Sequence, residues 1–401
     1  MPAFVFPGQG SQRPAMGRAW VDHPSWDVVA DASEASGRDV AHLLLHAGAA
    51  ELTETRNAQL ATVVASLVVL DAVERLGIEP TACAGHSVGE YSALVAAGTL
   101  GFEDGVRVVV ERGDAMQAAA DDASGVMAMV TGVDADTVDV ACRLAGGDVW
   151  VANHNTADET VIAGSPEAVA RASAQVLDLG ARRVTPIEVG GAFHTPLRAP
   201  ASHRLRKALA TTTLHPAEIP VVANVDGRVH QAPEDWPLLL SAQLVSPVRW
   251  RQSIRHLGGL TGRGGASVRL LVEIGPGGSL AGMIRRILPG MTTMSVSTPD
   301  DLDLLVDAIA GNTPLHAFAA GHQGEQLYVS ERLVISPGPG VFQPAAGLDQ
   351  SNGAEVEVGT LLGAVGVEEV RSPFAGALMG MLAHPGERVQ SGQPIAWLRA
   401  G

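Results

Sequence analysis

A serine set between two glycines is the feature that most restricts how this chain folds. The segment "GHSVGE", residues 85–90, follows a short apolar run, Thr81 to Ala84, and precedes a helical pattern. In such a G-x-S-x-G segment a strand turns sharply into a helix, and a Cβ at either glycine would obstruct the turn. The hydroxyl of Ser87 is then presented at the carboxyl end of the strand, beside free N–H groups at the helix start. The segment therefore predicts an α/β fold with a candidate nucleophile.

The same serine has a simpler interpretation as a helix N-cap, although the strand before it and the helix after it favour the nucleophile. A serine nucleophile needs a base, usually a histidine. Among the histidines, His194 in "GGAFHTPL" stands out, because two glycines precede it and a proline follows it on a predicted loop. We interpret His86 as structural, since consecutive residues at a sharp turn point in different directions.

Composition excludes several classes of function. The chain carries 27 basic and 43 acidic residues, a formal net charge of −16, which argues against nucleic acid and anionic membranes as partners. Its two cysteines, Cys83 and Cys142, lack metal-ligand spacing and are typical of a reducing compartment. We find no signal peptide and no segment with the roughly 18 apolar residues of a membrane span. We therefore predict a cytoplasmic protein without a bound metal.

The order of sequence patterns predicts several structural units. Residues 1–124 and 194–310 are predicted to form an α/β core with a parallel sheet. Between them, residues 125–193 read as β-α-β-β-α-β, which is the order of a ferredoxin-like subdomain. Residues 311–329 lose periodicity and are predicted to be a linker. The last unit, residues 330–401, is predicted to be all-β.

This last unit contains an internal repeat. "SPGPG" at 336–340 is repeated as "SPFAG" at 372–376, and the pattern G-x-x-V-x-x-G occurs at 353–359 and again at 386–392. Two β-rich copies of this kind predict a small barrel or sandwich with pseudo-twofold symmetry.

Six segments together give the chain a family resemblance. "FVFPGQGSQ", "GHSVGEYSAL", "ERGDAMQ", "GAFHTPL", "NVDG" and "VEIGPGGSLAGM" occur in the order seen in malonyl-CoA:acyl carrier protein transacylases and in the acyltransferase domains of polyketide and fatty-acid synthases. The resemblance covers residues 1 to about 310. It implies an α/β-hydrolase-like core and ping-pong transfer of a malonyl group from coenzyme A to the phosphopantetheine thiol of an acyl carrier protein, without a cofactor.

The resemblance also implies a role for individual residues. Ser87 would attack the thioester, and His194 would act first as the general base and then as the acid. The other ring nitrogen of the histidine would be held by the main-chain carbonyl of Gln243. The oxyanion hole would consist of the main-chain N–H groups of Gln9 and Val88.

Substrate recognition is implied at two positions. Arg112 would hold the free malonyl carboxylate, for which a planar guanidinium is well suited; taken alone, it is better explained as a surface arginine paired with an acid such as Asp114. Phe193 resembles family members that take unbranched malonyl units, whereas Arg198 departs from the methionine common at its position. Because coenzyme A and carrier proteins are acidic, we also expect arginines to cluster near the Ser87 cleft.

Residues 330–401 resemble the biotinyl/lipoyl-like carrier domains, which bear their cofactor on a lysine at a hairpin tip. Lys207 is the only lysine of the chain, so we expect no covalent biotin or lipoate. The resemblance implies docking, oligomerisation or placement of the transferase, with a synthase or carboxylase as a candidate partner. A stabilising appendage without a partner is the alternative.

Two other functions remain open at this stage. A hydrolase that clears acyl-carrier thioesters would use the same serine. A catalytically silent docking scaffold would need none of the site residues.

Overall fold

The chain folds into two compact units in the computed structural model, Met1–Glu325 and Gln326–Gly401. The structure describes residues 1–260, 267–310, 331–345, 354–372, 375–391 and 393–399. The predicted linker, residues 311–329, lies outside the described residues.

The first unit contains a six-stranded sheet and a separate four-stranded sheet. Its strands are β1 (Pro2–Phe6), β2 (Cys83–Gly85), β3 (Val126–Thr131), β4 (Val149–His154), β5 (Glu159–Gly164), β6 (Arg183–Ile187), β7 (Val221–Val222), β8 (Val229–His230), β9 (Leu270–Ile274) and β10 (Thr292–Val296).

The helices of this unit surround the two sheets. They are α1 (Asp27–Ser36), α2 (Val40–Leu45), α3 (Ala49–Thr53), α4 (Thr55–Arg75), α5 (Gly89–Ala96), α6 (Phe102–Asp122), α7 (Ala135–Ala145), α8 (Pro166–Asp178), α9 (Ala199–Leu209), α10 (Trp236–Gln243), α11 (Trp250–Gly258), α12 (Ser279–Ile287) and α13 (Asp300–Ala310).

The six-stranded sheet has the order β10-β9-β1-β2-β7-β8. The first five strands pair in parallel, whereas β8 pairs with β7 in the antiparallel sense. The predicted parallel sheet is thus present over five strands and is mixed at this edge. The connection between β7 and β8, residues 223–228, is too short to hold the crossover that a parallel pair needs, so the chain must turn back.

Helix α4 lies inside the core, and most of its residues are buried, including the polar Gln59, Thr62 and Ser66. It is long enough and apolar enough to be a candidate membrane span. The expectation that no segment has this length and composition is therefore wrong. Within the unit, however, 83% of its most apolar window is buried. A helix that is hydrophobic all round is explained equally well by burial in protein.

The four-stranded sheet belongs to an insertion with the element order β3-α7-β4-β5-α8-β6. Its strand order is β4-β5-β3-β6, and every pair is antiparallel. Helices α7 and α8 pack on the sheet around a separate cluster of buried apolar residues that includes Val138, Ile162 and Val176. This arrangement has the strand order of a ferredoxin-like sheet.

The second unit is all-β in its described part. Its strands are β11 (Glu331–Ile335), β12 (Gly340–Pro344), β13 (Ala354–Val356), β14 (Leu361–Val365), β15 (Glu368–Arg371), β16 (Gly376–Met381), β17 (Arg388–Val389) and β18 (Pro394–Arg399). They form two four-stranded sheets with the orders β11-β18-β16-β13 and β15-β14-β12-β17.

The two sheets are related by the internal repeat. Strands β11–β14 form the first repeat, and β15–β18 are their equivalents in the second. If each strand is replaced by its equivalent, the order of one sheet becomes the order of the other, so the pseudo-twofold symmetry expected from the repeat is present. Equivalent main-chain hydrogen bonds support it: the N–H of Ser336 donates to Gln393, and that of Ser372 donates to Thr360, each at 2.8 Å.

The sharp turn between β2 and α5 is possible only with glycine at both ends. A Cβ on Gly85 would lie 2.0 Å from the carbonyl carbon of Gly89, and a Cβ on Gly89 would lie 2.2 Å from the carbonyl oxygen of Phe6. The structure thus confirms that side chains at these positions obstruct the turn. Between the glycines, Ser87 has a φ of 53°, in the left-handed region that non-glycine residues rarely occupy.

We expect Gly89→Ala to destabilise the first unit by at least about 2 kcal/mol, because the added methyl group would overlap main-chain atoms that cannot move independently. Urea unfolding followed by circular dichroism measures the change. Gly48→Ala is the matched control, since a Cβ there meets nothing within 4 Å. Equal stability of the two variants would contradict the steric explanation.

Candidate active site

A cavity of about 340 Å³ lies at the carboxyl ends of β1 and β2. The loop after β1 contributes Gln9, the turn after β2 contributes Ser87, and the loop before α9 contributes Phe193 and His194. The remaining walls come largely from the inserted four-stranded sheet and from α12. The cavity therefore lies between the core and the insertion, where the sequence predicted a nucleophile.

Ser87 and His194 face each other in this cavity. Ser87 Oγ lies 2.8 Å from His194 Nε2, and His194 Nδ1 lies 2.8 Å from the main-chain oxygen of Gln243. A carbonyl oxygen only accepts, so Nδ1 carries the proton and the lone pair of Nε2 points at the serine hydroxyl. The imidazole is thus oriented to remove the serine proton.

Both residues are held in an uncommon backbone conformation. His194 has a φ of 58°, close to the value at Ser87. Such conformations cost on the order of 1–3 kcal/mol each and persist only where the surroundings fix them. At Ser87 the main-chain N–H donates to Oδ1 of Asn224 at 2.8 Å, which is one such constraint.

The environment keeps the imidazole neutral. Burial and the nearby positive charge of Arg112 lower the pKa of His194 to about 3, and the hydrogen bond to Gln243 opposes this shift. At neutral pH the ring is therefore a proton acceptor, although a weak one while no anion offsets the arginine.

Arg112 lies on α6 and is fully buried beside the nucleophile. Its Nη1 donates to Gln59 Oε1 at 2.6 Å, and its Nη2 lies 2.8 Å from Gln243 Oε1 and 3.2 Å from Ser87 Oγ. Its Nε is buried and has no hydrogen-bond partner among the described residues. A buried guanidinium with a free donor at the nucleophile is suited to an anionic substrate group.

The alternative interpretation of Arg112, a surface pair with Asp114, is wrong. Asp114 instead binds Arg38, with 2.6 Å between a carboxylate oxygen and Nη2. Arg112 is directed inward, and its guanidinium carbon lies 5.5 Å from the centre of the Tyr91 ring, a favourable cation–π contact.

Two main-chain N–H groups are free near the serine. Val88 directly precedes α5, and Gln9 lies in the loop that follows β1. Neither N–H makes a hydrogen bond within the part of the chain that the structure describes. Free main-chain donors beside a nucleophile are the requirement for an oxyanion hole.

Sequence reasoning missed most of the polar residues that support the site. His86, interpreted as structural, lines the cavity and contacts Asn155 at 3.3 Å; Asn155 donates to Glu159, which pairs with Arg286 at 2.7 Å. Glu90 is completely buried on α5. The "GHSVGE" segment contains His86 and Glu90, but only the fold shows which side chains they contact.

The described residues contain no group of three or more His, Cys, Asp or Glu side chains arranged to hold a metal ion.

Comparison with known proteins decides the family. The model of the acyl transferase domain matches residues 3–296. This chain belongs to the acyl transferase family. The matched region ends within the first unit, so the second unit lies beyond it.

Members of the acyl transferase family with curated names resemble the chain over most of their length. It is 37% identical over 312 residues to the malonyl CoA-acyl carrier protein transacylase of Bacillus subtilis strain 168, covering 77% of this chain and 96% of that protein. It is also 37% identical to the transacylase of the same name from Escherichia coli K12, covering 74% of this chain and 96% of that protein.

Solved structures agree with the first unit. A malonyl-transacylase in complex with a type II polyketide synthase acyl carrier protein superposes with a TM-score of 0.72 at 35% identity, covering 78% of this chain and 99% of that one. The acyl-carrier-protein S-malonyltransferase of Burkholderia pseudomallei 1710b gives 0.72 at 36% identity, covering 76% and 99%. These two structures thus share the mixed α/β fold of the first unit.

Proposed function

We propose that the first unit transfers a malonyl group from coenzyme A to the phosphopantetheine thiol of an acyl carrier protein through an ester on Ser87. The observation that carries this proposal is the buried guanidinium of Arg112, which lies 3.2 Å from Ser87 Oγ. It would bind the carboxylate that distinguishes malonyl from acetyl. The names and carrier complex of the relatives support the same substrate and acceptor.

The first half-reaction forms the ester. Ser87 Oγ attacks the thioester carbonyl while His194 Nε2 takes the hydroxyl proton. The N–H groups of Gln9 and Val88 would stabilise the oxyanion of the tetrahedral intermediate. The C–S bond then breaks, and the imidazolium returns the proton to the thiolate of coenzyme A.

The second half-reaction reverses this sequence with a different thiol. The carrier thiol gives its proton to His194 Nε2 and attacks the ester carbonyl. A new C–S bond forms, the C–O bond breaks, and Ser87 Oγ recovers the proton. Thiol and alcohol thus exchange one acyl group, and no oxidant, metal or cofactor enters the balance.

The cavity walls favour transfer over hydrolysis. Met116, Met127 and Val161 line the cavity, and Phe193 closes it beside the base. Such apolar walls disfavour the entry of water, the competing nucleophile. Phe193 lines the cavity and is 5% exposed. We propose that its bulk disfavours a branched acyl group and so gives a preference for unbranched malonyl.

We expect Arg112→Ala to reduce the rate of Ser87 malonylation by at least about 100-fold, since a charge-assisted bidentate pair is lost. Acetylation should fall much less, because acetyl carries no second carboxylate. Intact-mass measurement of the acyl-enzyme with malonyl-CoA and acetyl-CoA gives both rates. Ser87→Ala is the control that should form neither acyl-enzyme. Equal losses for the two acyl groups would refute the role of Arg112.

The same assay separates transferase from hydrolase. A transferase should hold its malonyl ester until a carrier thiol arrives. Rapid loss of the ester in water without carrier would favour the hydrolase. Absence of any Ser87 labelling by malonyl-CoA in the intact protein would favour the docking scaffold.

A second, arginine-lined cavity of about 710 Å³ supports an acidic partner. It is lined by Arg251, Arg255, Arg269 and Arg286, in a chain with a net charge of −16. No carboxylate among the described residues pairs with the first three. Arg286 bonds to Glu159, a wall residue of the Ser87 cavity, so the two cavities adjoin. We propose that this arginine cavity receives the acidic carrier protein.

Reversing charges there should weaken carrier binding selectively. We expect Arg255→Glu combined with Arg269→Glu to raise the KM for an acyl carrier protein about tenfold or more at low salt. Transfer to pantetheine, a neutral thiol, should be unchanged. The matched control is the pair Arg206→Glu and Lys207→Glu on α9, which lines neither cavity. A similar KM increase in both double variants would contradict a specific docking site.

For the second unit we propose a biotinyl/lipoyl-like fold that carries no cofactor. The two symmetric halves are joined by the β14–β15 hairpin, whose turn is Gly366 and Val367. Val367 is fully exposed at this tip, where the resembling domains bear their lysine. We propose that the unit serves docking or placement of the transferase, with a synthase or carboxylase as the candidate partner.

We also retain the proposal of a cytoplasmic location, with which the two free, buried cysteines agree.

The full chain should gain no mass when incubated with a biotin ligase, biotin and ATP, or with a lipoate ligase and lipoate. The reason is that the hairpin tip offers no amine. A biotin carrier domain that is modified under the same conditions is the positive control. A mass increase on any residue after 330 would contradict the proposal.

A further inference from the structure

A buried carboxylate lies beneath the reacting groups and has no part in the mechanism described so far. Glu90, in the first turn of α5, is completely inaccessible to solvent. Its Oε1 accepts the main-chain N–H of Asn224 at 2.7 Å, and its Oε2 accepts the side-chain amide of Gln243. No ion pair to Glu90 is present among the described residues. Its negative charge is therefore stabilised mainly by hydrogen bonds from these two neutral groups.

Each of the two partners of Glu90 holds a different part of the site. Asn224 accepts the main-chain N–H of Ser87 and donates to the main-chain oxygen of Gly85 at 2.6 Å. Gln243 accepts His194 Nδ1–H through its main-chain oxygen and donates its side-chain N–H to the main-chain oxygen of Ser87. Glu90 therefore supports the conformation of the turn as well as the orientation of the base.

The carboxylate, together with the main-chain oxygen of Ser87 and the guanidinium of Arg112, determines which way the Gln243 amide faces. An ionised carboxylate only accepts hydrogen bonds, so the amide nitrogen must point toward Glu90. The amide oxygen is then left for Arg112 Nη2, which lies 2.8 Å away. Gln243 thus connects the Glu90 carboxylate to the guanidinium of Arg112 and to the imidazole of His194.

Proton transfer in this site creates an unfavourable charge arrangement. When His194 takes the serine proton it becomes a cation, and Arg112 is already a buried cation bonded to the same serine. In a serine–histidine–aspartate triad a carboxylate stabilises the imidazolium directly, whereas here the ring nitrogen meets a neutral carbonyl. A negative charge elsewhere in the buried network would offset the two cations.

We propose that Glu90 is a positioning residue that supplies, through Gln243, the negative charge that a triad aspartate supplies by direct contact. This proposal rests on the acyl-transfer function proposed above. Glu90 does not touch the substrate or exchange a proton with it. It acts by orienting Gln243 and by stabilising the imidazolium that forms on His194.

The protonation of Glu90 makes this role measurable. Burial raises the pKa of Glu90 to about 7, while Asn224, Gln243 and Arg112 oppose the shift and Asp226 adds to it. These, with Tyr91 on the same helix, are the titratable and polar groups that interact with the carboxylate. The anion is present above pH 7 and is lost as the pH falls through that value. In the free enzyme His194, with a pKa of about 3, does not titrate in this interval. A bound carboxylate would raise that pKa, so the comparison of wild type with Glu90→Gln, rather than the wild-type profile alone, assigns the pH dependence to Glu90.

Glu273 is a matched control within the same unit. It is also fully inaccessible, and burial raises its pKa to about 7 as well. Its carboxylate accepts the main-chain N–H groups of Leu280 and Ala281 at the start of α12 and the hydroxyl of Ser295. It contacts none of the reacting groups. Because it holds the start of α12, a wall of the cavity, its loss could change substrate binding, but it should not change the pH dependence of the chemical step.

The experiment is single-turnover malonylation of Ser87 between pH 5.5 and 8.5, measured by rapid quench and intact mass. The wild-type rate should fall severalfold as the pH drops below about 7. Glu90→Gln should lower the rate at pH 8 on the order of 10- to 100-fold, the value of a hydrogen bond to a charged group, and remove this pH dependence. Glu90→Asp, which keeps the charge, should retain more activity than Glu90→Gln. Glu273→Gln should keep the wild-type pH dependence.

Several outcomes would overturn the role of Glu90. One is a Glu90→Gln enzyme with the wild-type rate and pH profile. Another is a folded Glu90→Asp enzyme that is slower than Glu90→Gln. A third is a wild-type rate that is constant from pH 6 to 8. This measurement uses no Glu90 variant, so it can be made even if the variants fail to fold. If wild-type Ser87 is not malonylated at any pH, the proposed function itself fails.

Discussion

The site depends on the hydrogen bond between Ser87 Oγ and His194 Nε2, and the surrounding residues hold these two atoms in place. This bond joins two segments 107 residues apart, and each reacting residue has a left-handed backbone that is unfavourable in isolation. Close packing at Gly85 and Gly89 fixes the serine, while Gln243 fixes the histidine. The core therefore provides the energy that keeps two strained residues 2.8 Å apart.

The charge distribution of the site follows from its burial. Arg112 is buried, has no ion-pair partner among the residues that the structure describes, and bonds to the neutral amides of Gln59 and Gln243, which keeps it available for an anion. The same cation depresses the basicity of His194. A bound carboxylate would neutralise Arg112 and so make the imidazole a stronger base once the correct acyl group is present. Selection of the substrate and activation of the nucleophile are thus consequences of one electrostatic arrangement.

The residues taken alone indicated the local features, whereas the distant contacts of His194 with Ser87 and with the Gln243 carbonyl were implied mainly by the family resemblance. The strand–turn–helix around Ser87 follows from the spacing of two glycines, and the repeat in residues 336–392 indicated the symmetry of the second unit. The residues alone favoured an Asp114 partner for Arg112, because neighbours in sequence are visible and the cavity is not. Glu90 was missed for a similar reason: an acidic residue in the first turn of a helix is common at surfaces. Only the fold shows that it is buried.

The symmetry of the second unit has a consequence for how that unit forms. Each of its sheets takes two strands from the first repeat and two from the second, so neither repeat contains a complete sheet. A fragment holding a single repeat would leave strand edges open, and such edges pair readily with another chain. Two copies of that fragment would pair their strands as the two repeats pair within the unit. An intertwined dimer would then replace the intramolecular fold. The covalent connection through the β14–β15 hairpin is what keeps this association within one molecule.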